Sequence, residues 1–353
     1  MQYYESLADL VGGTPLVRLK SLTRPRGPIV LAKVEYLNPG GSVKDRVALR
    51  MLEAAEQEGL IGPGSTIVEP TSGNTGGALA MLARLRGYQC VTVCQEKVSA
   101  GKVAVLRAFG AEVVLCPDDL SADDPDCYLN VAARLALAIP GAWMPDQYSN
   151  NNNPAAHYTT TGPEIWHQTA GRITHFVTAL GTGGTASGAG RFLKETSSAQ
   201  VLVIGVDPQG SIYSGGHGGP SLVEAVGESF YPAVYDRGIC DEIVSVSDRE
   251  CFSMTRRLAL EDAMLVGPSS GLAAVAASRV ASRLGAKDVL VVLFPDSGRS
   301  YLTKVFDDTW LDKHGLLDPV PGHTLTRPIV EAAALGSARI SGRMVEKGER
   351  CAD

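Results

Sequence analysis

"THFVTALGTGGTASGAG", residues 174–190, decides the fold. An apolar run rich in β-branched residues ends at a glycine-rich loop, and a segment with helical spacing follows directly. Consecutive glycines allow backbone N–H groups to converge on an anion, and the positive end of the helix dipole adds to the attraction. A strand, a glycine loop and a helix in this order predict a phosphate site at the carboxyl end of a parallel strand.

Short apolar runs alternate with amphipathic or alanine-rich segments along most of the chain. Strands are predicted at 29–37, 66–70, 89–95, 111–117, 174–181, 201–207 and 288–298, with helices between them, for example at 43–60, 74–87, 100–110 and 272–285. Interleaved strands and helices are typical of parallel sheets covered by helices. The sequence therefore predicts an α/β protein with two domains, each a mostly parallel twisted sheet flanked by helices.

Composition excludes several classes of protein. The 353 residues carry a net charge of −6 and no long basic run, so no nucleic-acid partner is expected. The N-terminus has no signal-peptide core, and the purest apolar run, 289–294, is too short to cross a bilayer. We expect a cytoplasmic protein with no membrane partner. Seven scattered cysteines and six histidines show no zinc-site spacing, so neither a metal nor structural disulfides are predicted.

The glycine loop alone leaves a second interpretation open. Gly181, Gly183 and Ala186 fit the dinucleotide pattern G-x-G-x-x-A, and Asp207 ends the next strand about twenty residues further on. A nicotinamide-dependent dehydrogenase is therefore a rival hypothesis. A tight strand-to-helix turn with no ligand would also explain the loop.

Two further loops are rich in hydroxyl groups. In "EPTSGNTGG", residues 69–77, Thr71, Ser72, Asn74 and Thr75 crowd around a glycine where one capping residue would suffice, so a carboxylate or ring oxygen is a natural guest. In "GPSSG", residues 267–271, either serine alone is explained by helix capping.

A lysine opens a predicted helix in "NPGGSVKDR", residues 38–46. Cations are disfavoured at a helix N-terminus by roughly 0.3–1 kcal/mol. The same positive potential lowers the pKa of an ammonium group, which suits a lysine that must react as a free amine. Lys44 is therefore a candidate nucleophile.

These motifs together resemble the fold-type II family of pyridoxal-phosphate enzymes, which includes tryptophan synthase β. The likeness runs from "GGTPLVRL" at 12–19 through "NPGGSVKDR", "EPTSGNTGGALA", "GTGGTASGAGRFLKE" and "GVDPQGSIY" to "LFPDSGRSYLTKVFDDTW" at 293–310. Within the family the chain is most like the catalytic core of cystathionine β-synthase, and also like cysteine synthase. The resemblance, with the polar stretch at 147–162, implies a larger phosphate-binding domain (1–45 plus 161–317), a smaller mobile domain (46–160) and a partly ordered tail (318–353).

The resemblance implies a role for each matching residue. Lys44 would form the Schiff base with pyridoxal 5′-phosphate and act as catalytic base. The remaining cofactor-binding residues would be Asn74, Gly181, Thr182, Gly183, Gly184, Thr185 and Ser269. The residues around the substrate carboxylate would be Thr71, Ser72, Thr75 and Gln147. Ser269 would hydrogen-bond the pyridine nitrogen; a neutral hydroxyl there makes the ring a weaker electron sink, which favours loss of a β-substituent over transamination.

The implied reaction is β-replacement on serine or an activated serine through an aminoacrylate intermediate. L-serine with L-homocysteine, giving cystathionine, is the favoured pair. Alternatives are sulfide with O-acetylserine or O-phosphoserine, as in a cysteine synthase, and a nitrogen nucleophile that gives 2,3-diaminopropionate. More remote alternatives are the dehydrogenase and a non-catalytic binding protein. Small amino-acid substrates, a homodimer, no haem and no metal are expected.

Two positions depart from the family pattern. Ala225 and Pro268 stand where glycine is usual. A methyl group at 225 is expected to crowd the incoming nucleophile or to shift its loop. Proline at 268 is expected to remove a backbone donor just before Ser269.

Overall fold

The computed structural model describes residues 1–318 except positions 2, 72, 97, 119, 122 and 220. Ser72, a predicted substrate-binding residue, therefore lies outside the described residues. So does the predicted tail, apart from Asp318. Residues Met1–Leu316 form one compact unit.

Ten strands form two sheets. They are β1 Leu16–Arg18, β2 Ile29–Val34, β3 Thr66–Pro70, β4 Gln89–Gln95, β5 Glu112–Cys116, β6 Ala142–Trp143, β7 His175–Ala179, β8 Leu202–Pro208, β9 Glu242–Val246 and β10 Val289–Phe294. The first sheet has the order β1-β2-β10-β7-β8-β9, with only β1 antiparallel; the second has the order β5-β4-β3-β6 and is parallel throughout. Two mostly parallel sheets confirm the predicted fold class.

Ten α-helices accompany these strands in the described part of the chain. They are α1 Lys44–Gln57, α2 Asn74–Arg86, α3 Ala100–Ala108, α4 Tyr128–Ala138, α5 Asn152–Ala156, α6 Gly162–Gln168, α7 Gly184–Thr196, α8 Asp248–Glu261, α9 Pro268–Ala281 and α10 Asp308–Lys313. Several predicted boundaries differ by a few residues; for example, the strand predicted at 288–298 ends at Phe294, and the helix predicted at 272–285 is α9, which begins at Pro268 and ends at Ala281. The strand predicted at 29–37 ends at Val34, where a 3₁₀ turn, Glu35–Leu37, begins, and the polar stretch at 147–162 contains α5 and a π-helical turn, His157–Thr161.

Each sheet has its own apolar core. Every residue of β10 is buried, as expected for a central parallel strand covered on both faces. Ile67, Leu79 and Leu82 are fully buried in the core of the second sheet. All four strands of that sheet lie within 66–143, whereas the strands of the first sheet come from both sides of this range. The domain boundaries at 45/46 and 160/161 remain a prediction.

The loops that carry the predicted site follow strands of both sheets. α2 begins four residues after β3 ends, and α7 begins five residues after β7 ends. In parallel sheets, ligands bind at the carboxyl ends of the strands. Residues 180–183 after β7, and Thr71 and Gly73 after β3, therefore lie where a ligand is expected.

Candidate active site

A cavity of about 610 Å³ lies at these loops. Six of the predicted site residues line it: Lys44, Thr71, Asn74, Thr75, Gln147 and Thr182. Five others are not on its wall: Gly181, Gly183, Gly184, Thr185 and Ser269. The cavity thus brings together residues from both sheets, and the remaining predicted residues belong to the α7 and α9 N-termini.

Lys44 is the first residue of α1, and its N–H donates to Ser42 Oγ at 3.2 Å. Burial lowers the pKa of the Lys44 ammonium group from 10.5 to about 8, and the negative charge of Glu228 opposes this shift. The sequence pointed to the helix N-terminus as the cause of a lowered pKa. In the structure the largest cause is burial, which penalises the charged form of the amine.

The lowered pKa of Lys44 predicts how the apoprotein captures an aldehyde. Only the free amine attacks a carbonyl carbon. The rate of covalent capture of pyridoxal phosphate is expected to rise with pH through about 8 and then to level off. An ordinary lysine would keep rising towards pH 10.5. Stopped-flow absorbance of apoprotein mixed with the aldehyde at a series of pH values measures the midpoint, and a midpoint near 10 would contradict the shift.

A buried ion network anchors α1 two residues beyond Lys44. Arg46 Nε lies 2.7 Å from Glu35 Oε2, and Arg46 Nη1 lies 2.6 Å from Glu164 Oε1. Lys33 Nζ lies 2.6 Å from Glu164 Oε2. The side chains of Lys33, Glu35 and Arg46 are essentially inaccessible to water. This network fixes the start of α1 relative to β2 and α6, and sequence analysis missed it.

The glycine loop is shaped so that only glycine fits. Gly183 has φ +79° and caps α7 without a side-chain hydrogen bond. A Cβ atom at Gly183 would lie 2.4 Å from Tyr235 Cδ2, and one at Gly184 would lie 2.0 Å from Asn153 Oδ1. The first N–H groups of an α-helix have no partner inside the helix. The uncapped end of α7 therefore offers backbone donors to an anion.

The hydroxyl groups of Thr182 and Thr185 are held by hydrogen bonds to neighbouring side chains. Asn153 Nδ2 donates to Thr182 Oγ1 at 3.1 Å and to the carbonyl of Gln147 at 2.8 Å. Thr185 Oγ1 lies 3.2 Å from His157 Nε2. Burial holds the pKa of His157 well below its usual value, so the imidazole is neutral. Sequence analysis missed both Asn153 and His157.

Asn74 is oriented by a buried carboxyl group that sequence analysis also missed. Asn74 Nδ2 donates to Asp296 Oδ2 at 2.8 Å, and the Tyr301 hydroxyl donates to the same oxygen at 2.7 Å. Burial raises the pKa of Asp296, and its Oδ1 is buried without a hydrogen-bond partner in the described structure. Asn74 is thereby held on the cavity wall at the start of α2.

Gln147 is likewise held in place. Thr75 Oγ1 donates to Gln147 Oε1 at 2.7 Å, and the Gln147 N–H donates to Glu69 Oε1 at 3.1 Å. Because the amide oxygen of Gln147 is engaged, the remaining polar atom of its side chain is a donor, which suits a carboxylate. Burial raises the pKa of Glu69 to about 7.

The two departures from the family pattern have different consequences. Pro268 is the first residue of α9, where its missing N–H costs nothing, so the expected loss of a donor does not apply. Ser269, the second residue of α9, is buried. Ala225 lines the cavity with φ +66°, a left-handed conformation that disfavours residues with a Cβ atom.

The strain at Ala225 predicts a stabilising substitution. Ala225→Gly is expected to raise the free energy of unfolding by about 1 kcal/mol, because relief of a left-handed Ala exceeds the extra flexibility of Gly in the unfolded chain. Urea titration measures this change. Ala263→Gly, at φ +56° outside the cavity wall, is the matched control and is expected to stabilise similarly. A destabilised A225G protein would contradict the strain.

The dehydrogenase hypothesis depended on Asp207. This residue is fully buried at the end of β8, and its Oδ2 accepts from the Ser214 N–H at 2.8 Å and from Ser214 Oγ at 2.7 Å. A carboxylate engaged in this way is not presented to a ribose. Asp207 therefore no longer supports the dinucleotide hypothesis.

A reactive lysine, a glycine cradle that a Cβ atom would fill and an uncapped helix end fit a cofactor that carries an aldehyde and a phosphate. They define a pyridoxal-phosphate enzyme. A family model described as "Pyridoxal-phosphate dependent enzyme" matches residues 7–296, and the chain belongs to this family. Pyridoxal phosphate is accordingly its cofactor. No group of three His, Cys, Asp or Glu residues that could hold a metal, and no helix able to span a membrane, occurs among the described residues.

Several known proteins are similar to this chain. Cystathionine β-synthase of Apis mellifera is 43% identical over 317 residues, which cover 88% of this chain and 63% of that protein. The chain thus spans less than two thirds of that relative's length. The crystal structure of O-ureido-L-serine synthase is 37% identical, with TM-score 0.82 over 88% of this chain and 100% of that one. The O-acetylserine-dependent cystathionine β-synthase of Helicobacter pylori is 39% identical, with TM-score 0.79 over 86% and 99%.

Proposed function

We propose that the protein catalyses β-replacement on L-serine or an activated serine, with L-homocysteine as the preferred nucleophile. The observation that carries the proposal is that Lys44, an amine with a pKa of about 8, lines the same cavity as several hydroxyl and amide side chains. An amino acid bound by such donors would place its Cα–H bond near a free amine. The similarity to cystathionine β-synthase favours the same reaction.

Different residues of the site would bind different parts of the cofactor. Lys44 would bind its aldehyde carbon, the α7 N-terminus with residues 181–185 its phosphate, Asn74 its ring oxygen and Ser269 its pyridine nitrogen. When bound, pyridoxal phosphate withdraws electrons from the amino acid and so acidifies its Cα–H bond. The loop glycines carry no side chains, so their backbone N–H groups would be able to approach the phosphate closely.

The substrate carboxylate would be bound by Thr71, Ser72, Thr75 and Gln147. Thr75 fixes the Gln147 amide so that its N–H group donates, and Glu69 fixes the backbone at Gln147. With its amine free, Lys44 would accept the Cα proton of the bound amino acid. The same residues would thus orient the substrate and direct its Cα–H bond towards the base.

The leaving group and nucleophile are the finer part of the proposal. Serine with homocysteine leads. The name of the O-acetylserine-dependent relative supports an activated serine as the substrate. O-ureido-L-serine carries oxygen on its β-carbon, so the name of that synthase supports an oxygen nucleophile. Sulfide, as in a cysteine synthase, and a nitrogen nucleophile that gives 2,3-diaminopropionate are the further alternatives. We further propose a cytoplasmic homodimer in which residues 46–160 form the smaller, moving domain.

A matrix of substrates tests the proposal. Serine, O-acetylserine and O-phosphoserine are each combined with homocysteine, sulfide, cysteine and amines, and the products are identified by mass spectrometry. Cystathionine from serine and homocysteine is the expected main product. If no combination gives a β-replaced amino acid with cofactor-loaded protein, the proposal is wrong.

The glycine cradle predicts a separate effect on cofactor affinity. Gly183→Ala places a methyl group against Tyr235 at a positive φ angle. Overpacking costs about 1–3 kcal/mol, so the dissociation constant for pyridoxal phosphate is expected to rise roughly 5- to 150-fold. Fluorescence titration of apoprotein measures it. Gly101→Ala, where nothing lies within 4 Å of the new methyl group, should bind the cofactor normally; equal affinity of both variants would contradict the cradle.

A further inference from the structure

Glu228 is a cavity carboxyl group to which the proposed function assigns no role. It lines the same cavity as Lys44 and Gln147. Its backbone is fixed on both sides, because its N–H donates to Ser211 Oγ at 3.0 Å and its carbonyl accepts from the Ile212 N–H at 3.0 Å. The carboxyl group therefore projects from a fixed backbone onto the wall of the cavity.

Tyr148 lies beside this carboxyl group on the cavity wall. Hydrogen bonding between the two side chains affects the pKa values of both groups. The Tyr148 ring lies 5.5 Å from the Phe230 ring, and its backbone carbonyl accepts from the Val234 N–H at 3.2 Å. Tyr148 is therefore itself held in place next to Glu228.

The two carboxyl groups on the cavity wall have opposite environments. Glu224 forms ion pairs with Lys102 and Lys304, which outweigh its burial and lower its pKa. Burial raises the pKa of Glu228 to about 7, while the Tyr148 hydrogen bond and the charge of Lys44 oppose the shift. Two carboxyl groups with pKa values driven apart in one site are typical of an acid–base assignment.

The titratable groups that act on Glu228 come from several elements. They are Lys44 on α1, Tyr128 on α4, Tyr148 after β6, Asp207 on β8 and Tyr213 in the 3₁₀ turn Ile212–Ser214. Burial raises the pKa of each of these tyrosines, so they stay neutral near pH 7. Within this set, the pKa of Lys44 is about 8 and the pKa of Glu228 is about 7.

We propose that Glu228 is a catalytic acid–base residue that protonates the departing β-oxygen of serine, with Tyr148 as its positioning residue. This inference rests on the proposed β-replacement. Hydroxide is a poor leaving group and needs a proton, whereas acetate leaves as a stable anion. The geometry offers one amine for the Cα proton and one separate carboxyl group for the β-oxygen.

The proton transfers balance. Lys44 Nζ takes the Cα proton, and the electron pair of that bond forms the Cα–Cβ double bond. The Cβ–O bond breaks, its electron pair goes to oxygen, and the oxygen takes the Glu228 proton and leaves as water. The thiol releases its proton to solvent and adds to Cβ as the thiolate, the Lys44 proton returns to Cα, and a proton from solvent restores the Glu228 carboxyl group. Both residues are then restored.

Glu228→Gln keeps the shape and removes the acid. Its kcat/KM with L-serine is expected to fall by roughly 10²-fold or more, the usual range for general acids, while kcat/KM with O-acetyl-L-serine stays within about threefold. Glu224→Gln changes the other cavity carboxyl group and is expected to leave the ratio of kcat/KM for L-serine to kcat/KM for O-acetyl-L-serine unchanged. Tyr148→Phe should lower this ratio as E228Q does, but by a smaller factor.

The pH dependence separates this role from a structural one. With L-serine, kcat is expected to fall as pH rises above about 7, because Glu228 must be protonated; with O-acetyl-L-serine, and in E228Q, this limb should be absent. Infrared difference spectra of wild-type and E228Q apoprotein should show a carboxyl group titrating near 7. An E228Q protein that keeps serine turnover, or loses both substrates equally, overturns the inference. Wild-type protein inactive on both substrates instead overturns the proposed function.

Discussion

Lys44→Ala is expected to abolish covalent attachment of pyridoxal phosphate and to lower turnover by roughly 10⁴-fold or more. This is the upper end of the 10²–10⁴ range for a lost general base, because the nucleophile for the aldehyde is lost too. Phosphate-loop binding would keep some cofactor in the protein, and that cofactor would be washed out on gel filtration. Absorbance spectra before and after filtration, with product assays, measure both effects.

Two controls isolate the amine of Lys44. Lys44→Arg keeps a cation of similar length at the start of α1 but supplies no amine that reacts with an aldehyde, and it should behave as K44A does. Lys102→Ala removes a different cavity lysine, one paired with Glu224, and should keep the covalently bound cofactor. Covalent cofactor retained in K44A would show that another lysine is the attachment site.

Arg46→Ala is expected to cost about 3–5 kcal/mol of unfolding free energy, because it leaves the buried Glu35 carboxylate without its charged partner. Glu164 would lose one of its two cations and keep Lys33. The same change loosens the first turn of α1, so the apparent affinity for the cofactor should fall with stability. Chemical unfolding of the cofactor-loaded protein, followed by circular dichroism, measures the loss.

Arg86 offers a matched surface control. It pairs with Glu53 at 3.3 Å and also with Glu56, and all three side chains are partly exposed. Solvated pairs contribute roughly 0–1 kcal/mol, so Arg86→Ala should unfold almost as the wild type does. If R46A and R86A were equally stable, the buried network would not be what anchors α1.

The fold was predictable because its signals are local. A parallel strand such as β10 is an unbroken apolar run. The glycines within 181–184 indicate a turn at which a Cβ atom would clash with neighbouring residues. The ends of elements were less predictable. Glu35 follows directly on the apolar residues of β2, yet it begins a 3₁₀ turn in which its carboxylate pairs with Arg46. That distant partner is not visible in the local pattern.

The candidate site was only partly predictable. Lys44, Thr71, Asn74, Thr75 and Gln147 stand in motifs whose residue types announce a ligand, and the structure places them around one cavity.

Asp296 and Glu228 could not be found in this way. Asn74, the partner of Asp296, is 222 residues away in sequence, and Glu228 meets Tyr148 and Lys44 only in the folded chain. A carboxyl group gains an altered pKa from burial, and burial depends on contacts that no local pattern encodes.

Reduction of the cofactor-loaded protein with borohydride, followed by digestion and mass spectrometry, examines the assignment of Lys44 without any assay of turnover. We predict one pyridoxyl adduct, carried by the peptide that contains residue 44. An adduct on Lys33, Lys102 or any other lysine, or no adduct at all in protein that binds the cofactor, would contradict it.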